Sequence, residues 1–581
     1  MKSITKAINL RQIRSGLVTG CTRGHGSSRY LYNSPAPVPA LQYDYLSRSF
    51  ESVNSLFVDR SPQPKKVENI YLCPKSKFDE FKNTFLQTST LQTLEDLGTP
   101  LNVYPGNKLL KIPLPQGTTP YSSVMFFDDR TISDMDFQPA FQEMKKGGCY
   151  DFQDALSMGK QPLSVDVSNR ICFTFAQHSY KFDIFKKAKA EGHTGDKVTL
   201  QWPLNASKHD CLGISRAYYL MQSLVDAPAL SMGPQELSTI AVNLAKSYED
   251  KPGKVSNMDV AVHVGVEELC GSAENLGFPQ VAAVGMGASA TRAPRVVDFR
   301  WRPKGQTLDA VLPEIVLVGK GIVFDSGGLN IKTGNGMLTM KKDMAGAAQA
   351  LALSSLIMHH ELPCQLRVLI PIAENSISGC SLRPGDVIRA RNGKTSEITN
   401  TDAEGRLILA DCLVAACEGL SDPAYKPTKK RLIIDFATLT GAARVAVGNE
   451  MPAVFCNDHQ ELIKAFEMSH NPAMDTFGGN DPMWPLPLWE PLRQNMRSSN
   501  IADLVNSSAT PAGGAITAAL YLSEFISPWE TSVVYKQSNS VASAAPLWFH
   551  LDFYALDKKG YALPQGMRAM FAYIQHHIKK D

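Results

Sequence analysis

The stretch IVLVGKGIVFDSGGLNIK, residues 315–332, carries the pattern from which the fold is predicted. Four aliphatic residues come first, as in a strand buried on both faces, and four glycines follow around two lysines and one aspartate. Glycine permits tight turns and close backbone approach. Two interpretations are open at this point: a functional loop at the end of a strand, or a structural turn that carries surface lysines.

Outward from this stretch, the chain after about residue 212 alternates between two kinds of segment. Residues 366–370 and 432–436 are almost wholly aliphatic or aromatic, which predicts buried strands, while 344–358 and 407–420 are rich in Ala and Leu and predict long helices. This alternation indicates an α/β fold with a central mixed sheet flanked by helices. Polar and glycine-rich residues gather at the strand ends, where open α/β sheets place their sites.

Four carboxylates stand in three separate loops of this region. Asp325 lies in the opening stretch, and Asp343 lies just ahead of an Ala-rich helix, where a helix N-cap is its simplest role taken alone. Asp402 and Glu404 lie in the string NTDAEGRL, residues 400–407. Together they are a suitable set for two adjacent divalent cations. By ligand hardness alone, such oxygen ligands favour magnesium or manganese over zinc.

The string NTDAEGRL allows two interpretations. In extended backbone, Asp402, Glu404 and Arg406 would point the same way, since residues two apart share a face. Self-cancelling surface charge explains this arrangement as well as a site does. The string runs directly into the apolar helix that starts at Leu407, however, and buried carboxylates at such a junction must be paired or bound to metal.

Several other kinds of site are missing from the sequence. There is no HExxH, no GxSxG elbow and no GxxxxGK[ST] phosphate loop, and the cluster Gly285-Met-Gly287 lacks the third glycine of a dinucleotide site. None of the twelve histidines shows ligand spacing. The adjacent pairs at 359–360 and 576–577 point different ways on a helix, so we expect surface or core residues there.

Composition points to an ordinary globular protein. Hydrophobic residues make up 44% and charged residues 20%, and no stretch reaches the ~20 apolar residues that cross a bilayer, so a soluble protein without a membrane partner is expected. The net charge of +3 gives no electrostatic reason to expect nucleic acid as the main partner. The eleven cysteines show no CxxC spacing, which favours a reduced compartment.

The N-terminus differs from the rest of the chain. Six basic residues precede the first acidic one, Asp44, which is typical of a mitochondrial transit peptide; a disordered basic tail is the alternative. We therefore expect a transit peptide at 1–35 and a location in the mitochondrial matrix. Residues 36–205 carry no chemical motif, end in a strand-like segment at 198–202, and are predicted to form a small accessory α/β domain. The larger catalytic α/β domain is then 206–581.

These motifs resemble a known family. NTDAEGRL is similar to the signature of the leucyl (cytosol) aminopeptidases, and residues 318–332, 343–348 and 437–442 match that family's other blocks in the right order. The resemblance covers the chain from about Arg216 to the C-terminus and is closest to the α-proteobacterial branch, which suits a mitochondrial protein. It implies a metalloprotease, specifically an aminopeptidase that hydrolyses N-terminal, leucine-like residues from short peptides.

Carried over residue by residue, the resemblance also implies the metal ligands. One ion is held tightly by Lys320, Asp325, Asp343 and Glu404, and a second, more exchangeable ion by Asp325, Asp402 and Glu404. The family uses zinc, with manganese, magnesium or cobalt at the exchangeable site. This partly overrides the preference inferred above from ligand hardness.

The same resemblance implies the catalytic and binding roles. Lys332 helps one metal to polarise the scissile carbonyl, and Arg406 holds a bicarbonate that relays the proton. The family assembles as a homohexamer. Its pocket for the first side chain is lined at positions that correspond here to Met340, Thr438, Leu439 and Gly441.

Two departures from the family pattern stand out. Ala345 replaces a usual glycine behind Asp343, and residues 531–545 form an extra Ser- and Val-rich stretch, expected to be a surface loop. A second class of function is also implied, because some relatives bind DNA as hexamers independently of peptide cleavage. The alternative is therefore a hexameric scaffold or mitochondrial DNA-maintenance protein that keeps the aminopeptidase fold.

Overall fold

The structure, a computed structural model, describes thirteen segments of the chain: residues 45–58, 67–74, 109–112, 122–127, 149–154, 163–186, 199–249, 257–272, 277–304, 312–418, 431–470, 481–526 and 545–580. All of them fall within one unit, Tyr43–Asp581. The expected transit peptide at 1–35 lies outside the described residues, as do residues 531–544 of the extra stretch.

A six-stranded sheet is built from the N-terminal part of the chain. Its strands are β1 (Phe57–Val58), β2 (Val67–Pro74), β3 (Leu109–Ile112), β4 (Ser122–Phe127), β5 (Cys149–Asp154) and β6 (Thr199–Gln201). They run in the order β1-β6-β5-β2-β4-β3, and all pairs are parallel except β3 with β4. The same part of the chain contains two helices, α1 (Tyr45–Asn54) and α2 (Val165–Ser179). The limits 36–205 and 206–581 stay predictions.

The C-terminal part contains ten helices among the described residues. They are α3 (Lys208–Asp226), α4 (Pro234–Ser247), α5 (Val266–Cys270), α6 (Pro279–Gly285), α7 (Ala345–His359), α8 (Gly405–Cys417), α9 (Gly441–Val447), α10 (His459–His470), α11 (Gly514–Ser523) and α12 (Met567–Lys579). Three 3-10 segments, Ala290–Arg292, Gly334–Met344 and Glu490–Arg497, complete the set. The predicted helix at 407–420 ends earlier, since Glu418 has extended backbone (φ −68°, ψ 122°).

A nine-stranded mixed sheet forms the centre of this part, as predicted. Its strands are β7 (Met258–Val264), β8 (Arg295–Trp301), β9 (Glu314–Gly319), β10 (Gly321–Asp325), β11 (Gln365–Asn375), β14 (Arg431–Ala437), β15 (Ala453–Cys456), β16 (Trp484–Pro485) and β18 (Leu547–Asp552). The order is β16-β15-β18-β14-β9-β11-β8-β7, and β10 also pairs with β11. Strands β14, β9, β10 and β11 run parallel, whereas β8 is antiparallel to β11. A small sheet joins β12 (Val387–Arg389), β13 (Thr395–Glu397) and β17 (Leu504–Val505).

The central sheet has a hydrophobic core on each face. Successive residues of β9 enter different cores: Ile315 packs in the first, and Val316 packs in the second. Helix α7 packs in the first core and α8 in the second. This explains why the strands read as continuous aliphatic runs and why both helices lack a polar face. It also fixes the sheet between two helical layers.

Two further features concern the helices and the cysteines. No helix among the described residues is long and apolar enough to cross a bilayer. Eight cysteines, all between Cys172 and Cys456, are free thiols.

Candidate active site

The site begins at the carboxyl ends of the parallel strands. Lys320 follows β9, Asp325 ends β10, Asn375 ends β11, and Thr438 follows β14. Because these strands are parallel neighbours, their ends meet at one edge of the sheet. The ends of these parallel strands therefore bring the four residues together, at the place where the sequence predicted polar residues to gather.

Strand β10 reaches the site through a β-bulge. Ile322 pairs with Ala373 and Phe324 pairs with Glu374, so Val323 is an extra residue, and Asp325 comes to lie opposite Asn375. Bulges re-aim side chains and are common beside active sites. Asn375 uses the alignment directly, because its Nδ2 donates to Asp325 Oδ1 at 2.9 Å.

Asp343 is not a helix cap, contrary to the simplest interpretation of the sequence. It lies in the 3-10 segment before α7, and Met344 occupies the N-cap position without a side-chain hydrogen bond. The Asp343 carboxylate instead accepts hydrogen bonds at Oδ1 from Lys320 Nζ at 3.0 Å and from Thr438 Oγ1 at 2.8 Å. The reason is electrostatic: a buried carboxylate is stabilised more by an ammonium than by one backbone amide.

Asp402, Glu404 and Arg406 do come together, but not through extended backbone. Glu404 is the N-cap of α8 and has helical angles (φ −77°, ψ −34°), and Arg406 is in the helix. The period-two argument was therefore wrong here, since the helix starts within the string and turns the residues by its own geometry. All three residues line one cavity.

Lys320 is the buried cation of the site. Its Nζ lies 2.9 Å from Asp343 Oδ2 and 3.0 Å from Glu404 Oε1, and it donates to the Thr438 carbonyl at 2.9 Å. Burial acts to lower the pKa of Lys320, but the Asp343 and Glu404 carboxylates outweigh burial and raise it. The ammonium form is thus the stable one.

Lys332 is the second cation, and it is more open. Its Nζ lies 2.7 Å from Asp325 Oδ2 and 2.5 Å from Asp402 Oδ1. Burial acts to lower the pKa of Lys332, but the Asp325 carboxylate outweighs burial and raises it. An ammonium has three N–H donors. When two of them bond to Asp325 and Asp402, one remains for another group.

The carboxylates carry more charge than these lysines balance. Asp325, Asp343 and Glu404 each offer an oxygen within 4.8 Å of the others, and Glu404 Oε2 has no hydrogen-bond partner among the described residues. Burial, followed by repulsion from neighbouring carboxylates, raises the pKa of Asp325 to about 6 and that of Glu404 to about 8. Such a set favours binding of divalent cations, so the residues fit the expected metals.

Arg406 lies fully within this cluster of buried charges. Within the described part of the chain, its Nε has no hydrogen-bond partner, and burial lowers its pKa. A guanidinium nevertheless stays protonated in proteins and presents a planar set of donors. It can therefore bind a small planar anion.

A cavity of about 880 Å³ opens over these groups. A volume of this size suits a short peptide better than a folded protein. The four residues expected to line the pocket for the first side chain all border it: Met340, Thr438, Leu439 and Gly441.

Sequence reasoning missed the residues that hold the clustered side chains in place. Asn375 Nδ2 donates to Asp325 and also to the Thr401 carbonyl at 3.1 Å, and Thr401 Oγ1 donates to the Gly327 carbonyl at 2.7 Å. The position of Asn375 at a strand end was the available signal. Gly405 was missed as well: a Cβ there would lie 2.6 Å from Lys320 Nζ.

Comparisons with known proteins agree with this geometry. The profile described as "Cytosol aminopeptidase family, catalytic domain" matches residues 219–572. The chain is 36% identical over 375 residues to a "Probable cytosol aminopeptidase" of Chlamydia felis, an alignment that covers 63% of this chain and 65% of that protein. It is 38% identical over 355 residues to the protein of the same description from Geobacter sp., covering 60% of this chain and 65% of the relative.

Among solved structures, the cytosol aminopeptidase from Coxiella burnetii superimposes with a TM-score of 0.71 at 32% identity, covering 90% of this chain and 100% of that one. The leucyl aminopeptidase from Trypanosoma cruzi, at 23% identity and a TM-score of 0.68, shares the fold. The α-proteobacterial branch stays a prediction. Because the family model matches more than half of the chain and a solved member of the family superimposes on it at 32% identity, the chain belongs to the cytosol aminopeptidase family.

Proposed function

We propose that the protein is a metal-dependent aminopeptidase that hydrolyses N-terminal, leucine-like residues from short peptides. One observation carries the proposal: three buried carboxylates converge beside two lysines at the base of a cavity, in a chain of this family. Buried carboxylates must be paired or bound to cations, yet the Glu404 carboxylate keeps one oxygen, Oε2, without a hydrogen-bond partner among the described residues. A functional reason for keeping it is therefore needed.

The ligand sets follow from the family resemblance. Lys320, Asp325, Asp343 and Glu404 would hold the tight ion, and Asp325, Glu404 and Asp402 the exchangeable one. Zinc is proposed for the first and zinc, manganese, magnesium or cobalt for the second. When bound, two such ions supply a nucleophilic water at neutral pH and polarise a carbonyl.

The remaining work falls to residues of the chain itself. The Lys332 ammonium, held at the cavity by Asp325 and Asp402, has a donor left for the scissile carbonyl oxygen, where negative charge develops. Asp402 keeps that ammonium oriented. With no metal ion bound, the Lys320 ammonium favours the ionised form of Asp343 and lowers its pKa against the effect of burial. To hold an ion itself, Lys320 would have to give up a proton, because an ammonium has no lone pair.

Arg406 is proposed to hold a bicarbonate beside the cleaved bond. Its planar donors match a planar oxyanion, and its burial in the wall of the cavity strengthens such a contact. The bound anion would accept and return a proton during cleavage.

The cavity wall accounts for the proposed preference. Met340 and Leu439 offer apolar surface, while Thr438 and Gly441 leave room beside them. A branched aliphatic side chain would bury its surface there.

Assembly and location are also proposed from the family and the N-terminus. We infer a homohexamer in the mitochondrial matrix. Mass spectrometry of the endogenous N-terminus and sedimentation of the purified protein test these two points. Retention of residues 1–20 on mitochondrial material, or a stable monomer at micromolar concentration, would contradict them. The DNA-maintenance alternative stays a prediction.

The decisive test of the activity is a substrate panel. Purified protein, loaded with zinc or manganese, is assayed on aminoacyl amides that differ in the first side chain, with an N-acetylated leucine amide as control. We expect cleavage of the leucine amide and none of the acetylated form, because an aminopeptidase needs the free amine. Equal cleavage of both would exclude an aminopeptidase.

A further inference from the structure

Away from the carboxylate cluster, the first turn of α3 meets the last turn of α7. Four polar residues lie at this contact and are called the histidine cluster here: His209, Asp210, His359 and His360. None of them is among the described residues that line the active-site cavity. Spacing along the chain does not reveal the cluster, because His209 and His360 are far apart in sequence.

The donor atoms of three residues in the cluster are close enough to bind one ion together. Asp210 Oδ1 lies 3.4 Å from His209 Nδ1 and 3.6 Å from His360 Nδ1. One donor atom from each of these three residues lies within 4.8 Å of the other two. An ion between them would need only small side-chain movements to reach each donor at ~2.0–2.2 Å.

His359 holds the cluster in shape without being one of the three. Its ring stacks on that of His209 with centroids 4.1 Å apart, and its Nε2 donates to the His209 carbonyl at 3.0 Å. Gly213 permits this packing, because a Cβ there would lie 2.5 Å from His359 Cδ2. The backbone of His209 is thereby fixed relative to α7.

His360 supports the same interpretation from the buried side. Its Nδ1 is the ring atom that lies next to Asp210 Oδ1, and its side chain is only 12% exposed, against 58% for His209.

We propose that His209, Asp210 and His360 form a separate binding site for a zinc ion. Two imidazoles and one carboxylate are ligands that suit zinc, whereas the active-site ligands proposed above include no imidazole. His209 is 58% exposed, so water can complete a tetrahedral shell. The ion would join the start of α3 to the end of α7, next to the expected domain boundary at 205/206.

The test compares the number of zinc ions bound per chain in wild-type protein and in two variants. Wild-type protein and the variants His209→Gln and His263→Gln are equilibrated with the same low free zinc concentration, separated from free metal, and analysed for zinc per chain. His263 is the matched control, because it is also a partly exposed histidine with a carboxylate neighbour, Glu268, at 2.9 Å. We expect the His209→Gln protein to bind one zinc ion fewer than wild type and the His263→Gln protein to bind the same number.

This difference does not depend on how many ions the carboxylate cluster holds, so the proposal can fail separately from the proposed activity. His360→Gln provides a second variant, and titration calorimetry with zinc should show that the dissociation constant of this one site rises at least ~10-fold in each variant. Circular dichroism checks that both variants fold. Equal zinc content and equal affinity in wild type, His209→Gln and His360→Gln would overturn the proposal.

Discussion

The two lysines of the candidate active site are each shared by two carboxylates, but their surroundings differ. The Lys320 side chain is 3% exposed, and its partners Asp343 and Glu404 are equally buried. Lys332 is 17% exposed, and its partner Asp402 is 32% exposed. Breaking a fully buried ion pair leaves an uncompensated charge in the protein interior. A partly exposed ion pair, such as Lys332 with Asp402, can exchange one partner for another. Lys320 is thus suited to hold the site together, and Lys332 to act on a substrate.

The sharpest way to test this comparison is Lys320→Ala. We expect turnover to be lost and the free energy of unfolding to fall by ~3–5 kcal/mol, because Asp343 and Glu404 would remain buried without their counter-charge. Urea denaturation and activity assays measure both. Lys394→Ala is a matched control: Lys394 pairs with buried Glu524 at 2.7 Å but is 37% exposed, so a loss of ~0–1 kcal/mol is expected. Similar urea midpoints for the two variants would contradict the distinction.

Replacing the shared ligands should separate metal binding from stability. Asp325→Ala and Glu404→Ala are expected to lose at least one metal ion per chain and all measurable turnover, because two nearby cations need anions between them. Elemental analysis and activity assays on the same samples give the answer. Undiminished metal content in both variants would show that these carboxylates are not ligands.

Lys332→Ala should leave the metals and the fold in place. We expect kcat to fall by ~10²–10³-fold, since a donor aimed at developing negative charge typically contributes that much. Lys558→Ala, at a lysine that is 81% exposed, should show wild-type kinetics. If Lys332→Ala retained full activity, the half-open lysine would have no catalytic role.

A smaller effect is expected from Gly405→Ala, because the added methyl group would contact the Lys320 side chain. The added Cβ would lie 2.5 Å from Lys320 Cε, so the ammonium must move, at a cost of ~1–3 kcal/mol in the free energy of unfolding. Gly441→Ala is the control, because it is also the first residue of a helix but has nothing within 4 Å of the added atom. Thermal unfolding of both variants gives the comparison. Equal stability would mean that the close contact is easily relieved.

The fold was predictable where local sequence and burial agree. The aliphatic runs at 366–370 and 432–436 became β11 and β14, because strands covered by helices on both faces must be apolar throughout. The helix at 344–358 was found for the same reason. In each case one rule about solvent exposure determines both the residue types and the structure.

The site was predictable in its parts but not in its geometry. Polar residues at strand ends indicated where Asp325 would lie, yet the role of Asp343 depends on Lys320 and Thr438, which reach it from other strands. The extended-backbone argument failed at Glu404 because the helix begins there. Contacts between residues distant along the chain leave no mark on local spacing, and the histidine cluster is the extreme example.

The bulge at Val323 has a consequence for how such enzymes can be lost or redesigned. Val323 is one residue more on β10 than on the paired segment of β11, and such an extra residue reverses the face to which Asp325 points relative to a regular strand. A relative or a designed sequence with an unbulged strand at this point could keep every ligand and still aim one of them away from the others. Counting conserved ligands would then assign an activity to a dead protein, and the spacing between ligands is what should be compared.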